Sequence, residues 1–212
     1  MTLPRTLNLM GKDTLSIKPA GDIESLRYGH KHIDRTILPA NQEIILDSIE
    51  GNAMEIIAEI DAKSAPMVEL NLLRSPNKEE FTRVAFFKDR GFRRTKIAGS
   101  TLGASLASGN PVVGRAGRQR PEWVRDSLLT IDSSYSSALP GALSRAPETT
   151  PINLDAEEPL RLRIFVDKSV IEVFVNEKAC AAVRVYPGRA DSIGVSLRAQ
   201  GDQAEFLSLD AW

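Results

Sequence analysis

The chain has 212 residues, 42% of them hydrophobic, enough for a substantial core. Its 27 basic and 28 acidic residues leave a formal net charge of −1, so no overall field draws it to nucleic acid or to an anionic membrane, and neither is expected as a partner. One cysteine, Cys180, excludes an internal disulfide.

The opening "MTLPRTLNLMGKDTL" has Pro4 and polar residues where a signal peptide needs an apolar run, and no later stretch is long and apolar enough to span a bilayer. No address is visible, so localisation stays open. Asp22 is a plausible N-cap for a short helix over Ile23–Arg27. Apolar runs then recur at short intervals: "MEIIAEI" from Met54, "MVELNLL" from Met67, "FTRVAFF" from Phe81, "SLLTI" from Ser127, "LRLRIFVDKSVIEVFVNEKACAAVRVYP" from Leu160 and "SIGVSLRA" from Ser192. The intervening "AKSAP", "SPNKEE", "KDRG" and "PGRAD" are turn chemistry. This cadence predicts an all-β chain, a two-layer antiparallel β-sandwich of the concanavalin or lectin-like jelly-roll kind. The Ser-, Gly- and Pro-rich segment Gly99–Pro159 reads as long surface loops around a single strand near Leu129, without a domain boundary.

Two turns in the Leu160–Pro187 block fix its register. A two-residue turn at Lys168–Ser169 sets Asp167 against Val170, Val166 against Ile171, Ile164 against Val173 and Leu162 against Val175. A second turn over Asn176–Lys178 places Ala179, Ala181 and Val183 beside Val175, Val173 and Ile171, continuing one apolar face over three strands. A second sheet must cover that face.

Asp167 and Glu172 fall on the opposite face, with Glu172 across from Phe165 and Asp167 diagonal to it, roughly 7–8 Å apart. Inverting glycosidases hold their acid and base about 6.5–9.5 Å apart, so the spacing alone permits a catalytic pair. Arg163 and Arg184 are diagonal neighbours of Glu172, however, and would keep it ionised, while Asp167 stands at a turn where a short acceptor is locally useful. The structural reading is preferred for both.

Other candidates also have ordinary explanations. His30 and His32 share a strand face, and His-x-His can hold zinc, but the sequence shows no further histidine and a lone cysteine, so surface histidines are expected and no metal site. "KDRGFRRTK", Lys88–Lys96, reads as a basic hairpin tip guarding an edge. Arg115, Arg118 and Arg120 lie among glycines without the signature of a phosphate loop. Trp123 and Tyr135 fall in the long loops and do not make a sugar-stacking platform. Trp212 reads as the last strand's anchor, closing the core. Of Phe86 and Phe87, one points inward and the other outward, where it can meet a neighbouring domain.

The block "LRIFVDKSVIEVFVN" followed by "RVYP", the tail "LSLDAW" and the start "MTLPRTLNL" resemble glycoside hydrolase family 32, the β-fructosidases that include invertases and inulinases, and more narrowly its C-terminal β-sandwich domain. The family's pattern of "LPR", a proline and "LR" at the exit from a five-bladed propeller is matched by Leu3, Pro4, Arg5, Pro19, Leu26 and Arg27. On this resemblance, residues 1–27 are the remnant of the propeller exit strand and linker, residues 28–212 are the sandwich, and Met1 falls where an internal methionine of a larger polypeptide could sit. The family's "NDPNG", "EC" and "RDP" motifs, which carry its nucleophile, acid/base and stabilising aspartate, belong to the propeller; none occurs here, and Arg125 begins "RDS" instead. The resemblance thus implies a module with no catalytic, cofactor-binding or metal-binding residues of its own. It stabilises a propeller whose reaction is hydrolysis of β-fructofuranosides such as sucrose or fructans. The expected partners are that propeller or a second copy in a homo-oligomer, with fructan or another carbohydrate as a further ligand. The alternative is a stand-alone lectin-like module; an independent hydrolase using Asp167 and Glu172 ranks last.

Overall fold

Alternating β-branched and aromatic residues make this chain a succession of strands, and the computed structural model describes residues 2–10, 14–94, 123–143, 145–155 and 157–212. The strands are β1 (Arg5–Met10), β2 (Thr14–Pro19), β3 (Lys31–Ile33), β4 (Thr36–Leu38), β5 (Glu43–Glu50), β6 (Ala53–Asp61), β7 (Met67–Arg74), β8 (Thr82–Arg94), β9 (Trp123–Asp132), β10 (Glu148–Ile152), β11 (Leu160–Asp167), β12 (Val170–Val175), β13 (Ala179–Arg184), β14 (Gly194–Gln200) and β15 (Ala204–Ala211). They form a six-stranded sheet ordered β10-β9-β8-β7-β14-β5 and a seven-stranded sheet ordered β13-β12-β11-β6-β15-β3, with β4 also on β15. β1 and β2 make a separate two-stranded sheet. The two large sheets form the expected antiparallel sandwich.

The Leu160–Pro187 block folds in the predicted register. Leu162 pairs Val175, Ile164 pairs Val173 and Val166 pairs Ile171, while Ala181 and Val183 continue the rows on β13. Lys168 adopts a positive φ of 53°, as the first position of a two-residue hairpin turn requires. Asn176 and Glu177 both have positive φ in the second turn. Asn176 is fixed there by three hydrogen bonds: its Nδ2 donates to Glu158 Oε1 and to Pro159 O, and its Oδ1 accepts from Arg161 N–H. The inner face of this meander packs against Val68, Leu70, Leu72, Val84, Phe86 and Leu129 of the other sheet. Phe86 is the inward member of its pair and Phe87 is half-buried on the outer face.

Three expectations change. The helix over Ile23–Arg27 is a single 3-10 turn, Glu24–Leu26, with Ser25 N–H donating to Asp22 Oδ1 at 3.3 Å. The region read as loops contains β10, which escapes notice because it is a sheet-edge strand interrupted by Pro151. The basic stretch from Lys88 is not a hairpin tip: β8 runs on to Arg94, with a register shift against β9 between Phe87 and Gly91. Lys96, Arg115, Arg118 and Arg120 lie outside the described residues.

Buried and half-buried carboxylates hold the connections. Glu80, fully buried, accepts hydrogen bonds from the N–H groups of Ala138, Gly188 and Arg189 and from the Ser192 hydroxyl, joining two loops that are far apart in sequence. Gly188 is needed for this approach, because a Cβ there would lie 2.6 Å from Leu139 Cγ and 3.1 Å from Glu80 Oε1. At the sheet edge, Glu43 receives Lys78 Nζ at 2.9 Å, Arg74 Nε at 3.1 Å and the Ser196 hydroxyl. Burial pushes the Glu43 carboxyl up, but Ser196, Lys78 and Arg74 outweigh it and hold it at about 2.

Two measurements check this account. Replacing Ile164 with Ala removes side-chain volume from the fully buried centre of the meander and is expected to cost about 2–5 kcal/mol in urea denaturation. In acid, the unfolded chain takes up a proton at Glu43 that the folded chain does not, so this carboxylate's contribution is complete above about pH 4.5 and lost as pH falls toward about 2. The Glu43→Gln variant should therefore show a flatter decline of urea midpoint across that window than the parent; an unchanged slope would remove Glu43 from the account.

Candidate functional site

The outer face of the seven-stranded sheet gathers most of the chemistry. Strand pairing places Glu55 opposite Phe165 and Phe165 opposite Glu172, while Asp210 pairs with both Ile57 and His32. The segment before β3 covers part of this face, leaving a cavity of about 300 Å³ bordered by Tyr28, Glu55, Phe165, Asp167, Glu172 and Trp212.

Glu172 is only 1% exposed, although its side chain leaves the sheet on the face away from the core. Its Oε1 accepts Arg5 Nε at 3.0 Å and Nη2 at 2.7 Å, and its Oε2 accepts the Leu3 N–H at 2.9 Å. This bond to Glu172 raises the Arg5 guanidinium above its ordinary value. The partner is not one of the predicted arginines. Arg163 turns instead to Glu55 Oε1 at 2.6 Å and Glu24 Oε1 at 2.9 Å, and Arg184 lies over the Tyr186 ring. Register was right, but cross-strand neighbours lost to a guanidinium arriving from 167 residues away.

Both oxygens of Glu172 are thus engaged by donors from the start of the chain, which fixes β1 to the sheet. Asp167 is exposed beside the β11–β12 turn and forms no ion pair among the described residues. The neighbouring Cys180 donates its thiol to Glu172 Oε1 at 3.6 Å; burial, opposed by Arg5 and reinforced by Glu172, pushes that thiol up to about 12. Cys180 therefore stays protonated and is not a nucleophile.

Glu55, 7% exposed, is held the same way. Arg27 reaches it in a bidentate arrangement at 2.8 and 2.9 Å, and Arg163 completes the set. The Arg27 guanidinium also lies 4.1 Å from the centre of the Trp212 ring, on which His30 stacks at 5.0 Å. Trp212 thus anchors the end of the chain on the outer face, half-buried, and does not close the core as expected; its neighbour Ala211 points inward instead.

The two histidines share a face, as their spacing predicts, and both meet Asp210 there. His30 Nε2 lies 2.8 Å and His32 Nδ1 2.7 Å from Asp210 Oδ1. The bond to Asp210 raises the His32 imidazole against the opposing effect of burial, and Asp34 adds to the rise. Burial pushes the Asp210 carboxyl up, but His32 and His30 outweigh it and lower it. Asp210 was not foreseen as a neighbour of the histidines; "LSLDAW" signals a strand with Asp and Trp on one face, but nothing local says which strand lies alongside.

Trp123 opens β9, paired with Arg94, and so is not in a loop. Tyr135, in the turn after β9, stacks on Phe81 with ring centres 5.3 Å apart.

The family model for the glycosyl hydrolases family 32 C terminal matches residues 22–212. This chain belongs to that family. Solved structures show the same fold. It is similar to fructan 1-exohydrolase IIa from Cichorium intybus (TM-score 0.74, 17% identity, covering 100% of this chain and 40% of that one). It is also similar to exo-inulinase from Aspergillus awamori (TM-score 0.67, 18% identity, 99% and 35%) and to sucrose-6-phosphate hydrolase from Lactobacillus gasseri (TM-score 0.57, 20% identity, 97% and 32%). The family 32 sandwich here thus spans a third to two-fifths of the length of these enzymes. No curated protein sequence matches it.

Within this family 32 domain, the Arg5–Glu172 bond is expected to be a structural fastening. Arg5→Met leaves a buried carboxylate without its cation and should cost about 2–3 kcal/mol in urea denaturation, less than the roughly 3–5 kcal/mol of a fully buried pair because Arg5 retains contact with water. The double variant Arg5→Met/Glu172→Met, which removes the stranded charge as well, should recover most of the loss. A double variant as unstable as the single one would contradict this.

Proposed function

We propose that this chain is a non-catalytic C-terminal β-sandwich module of a family 32 glycoside hydrolase, which packs on a β-propeller and stabilises it. Residues 1–27 act as the exit strand and linker and residues 28–212 as the sandwich. The whole enzyme hydrolyses β-fructofuranosides such as sucrose or fructans, a class suggested by the names of the inulinase and fructan exohydrolase it is similar to.

The observation that carries this reading is the β1–β2 hairpin. Leu7 pairs with Ile17 and Leu9 with Leu15, so these side chains share one face, and Leu7, Leu9 and Leu15 are 61%, 66% and 50% exposed. Large apolar side chains grouped on an outlying hairpin fit a contact surface for another domain or for a second copy in an oligomer better than a surface left in water. On the outer face, Glu172 and Glu55 are both engaged by arginines, which supports a fastening role for these two carboxylates.

Purified alone, the chain should release no fructose from sucrose or inulin above a no-protein blank, and the pair of substitutions Asp167→Asn and Glu172→Gln should leave that result unchanged. Unaided hydrolysis that disappears in the double variant would overturn the proposal. Micromolar binding of a fructan to the isolated chain would favour the stand-alone carbohydrate-binding module instead.

A further inference from the structure

We propose that His30, His32 and Asp210 form a binding site for a divalent transition-metal ion of the zinc type. Their ligating atoms, one from each residue, all lie within 4.8 Å of one another, and among the described residues this is the single group of its kind. Two imidazole nitrogens converge on the same carboxylate oxygen, His30 Nε2 at 2.8 Å and His32 Nδ1 at 2.7 Å. Zinc takes histidine nitrogen at about 2.0–2.1 Å and carboxylate oxygen at about 2.0–2.2 Å, so tetrahedral ligands stand roughly 3.3 Å apart. Half an ångström of separation between donors admits the ion, which is within the reach of side-chain rotation.

The surroundings prepare the ligands. His32 and Asp210 are directly paired across β3 and β15, so strand register sets their separation. The His30 ring is stacked on Trp212, itself beneath the Arg27 guanidinium. On the far side of His32, Nε2 lies 3.4 Å from Asp34 Oδ1. Once the metal has taken Nδ1, the Asp34 carboxylate beside Nε2 favours the bound tautomer with Nε2–H, as carboxylates behind histidine ligands do. Before binding, His32 Nδ1–H and His30 Nε2–H both donate to Asp210; each ring gives up that hydrogen, to solvent from an imidazolium or to its other nitrogen from a neutral ring, as coordinate bonds replace the hydrogen bonds.

Two imidazoles and one carboxylate suit Zn²⁺, Ni²⁺ or Cu²⁺ and are poor ligands for Ca²⁺ or Mg²⁺, which require mostly oxygen. The histidine side chains are 51% and 44% exposed, which gives an ion access from water and leaves coordination positions for water or for a group from another molecule. The ion would clip the three-residue edge strand β3 to the last strand of the chain.

The test is calorimetric titration of ZnCl₂ into the tag-free chain, with thermal unfolding as a second readout. One ion per chain should bind, with a raised unfolding midpoint. His30→Ala, His32→Ala and Asp210→Asn, each checked for folding by circular dichroism, should weaken binding by about 100-fold, and Asp34→Asn by about 10-fold. Cys180→Ser should bind as the parent does. No heat beyond dilution, equal affinity in the parent and the His30→Ala/His32→Ala double variant, loss of binding in Cys180→Ser, or Ca²⁺ binding as tightly as Zn²⁺ would each overturn the proposal.

Discussion

Two carboxylates on the outer face of the seven-stranded sheet, Glu55 and Glu172, are almost wholly removed from water, and each must be met by a cation. Glu172 takes Arg5 from β1, and Glu55 takes Arg27 from just after the 3-10 turn together with Arg163 from within the sheet. The segment before β3 is therefore docked by charge as much as by apolar contact. Arg27 extends the same network to Trp212, and Trp212 to His30, so the chain's two ends are fastened to one sheet face. An inner face of Ile, Leu and Val and an outer face of paired charge give this sheet two separate means of attachment.

This division of labour bears on function. A carboxylate ready for acid or nucleophilic work needs a free oxygen and a substrate pocket. Glu172 borders a cavity but accepts hydrogen bonds at both oxygens. Perturbed groups and buried charges often mark active sites, yet structural ion-pair networks produce the same signals. Here the hydrogen-bond inventory favours fastening over chemistry. Four of the exposed large apolar side chains, Leu7, Leu9, Met10 and Leu15, are grouped on the β1–β2 hairpin, whose Arg5 fastens it to Glu172.

Much of the fold was legible because the decisive information was local. Lys168 and Asn176 mark turns whose lengths fix register, and register then assigns every side chain from Leu160 to Arg184 to a face. Phe86 and Phe87 separated as alternation requires. Weak local signals misled: β10 contains a proline, and the basic residues after Phe87 looked like a tip although β8 continues through them. Glu80 gave no hint of its role, since its donors come from residues 138, 188, 189 and 192.

From the sequence by itself came the all-β class, the three-strand meander, the family resemblance and the shared face of His30 and His32. All follow from periodicity, turn length or motif, which are properties of neighbouring residues. Only tertiary structure decided that Arg5 rather than Arg163 answers Glu172, that Trp212 stands on the outer face, and that Asp210 is the point where the two histidines meet. Each of these rests on which distant strands lie side by side, and alternation along one strand carries no information about its neighbour.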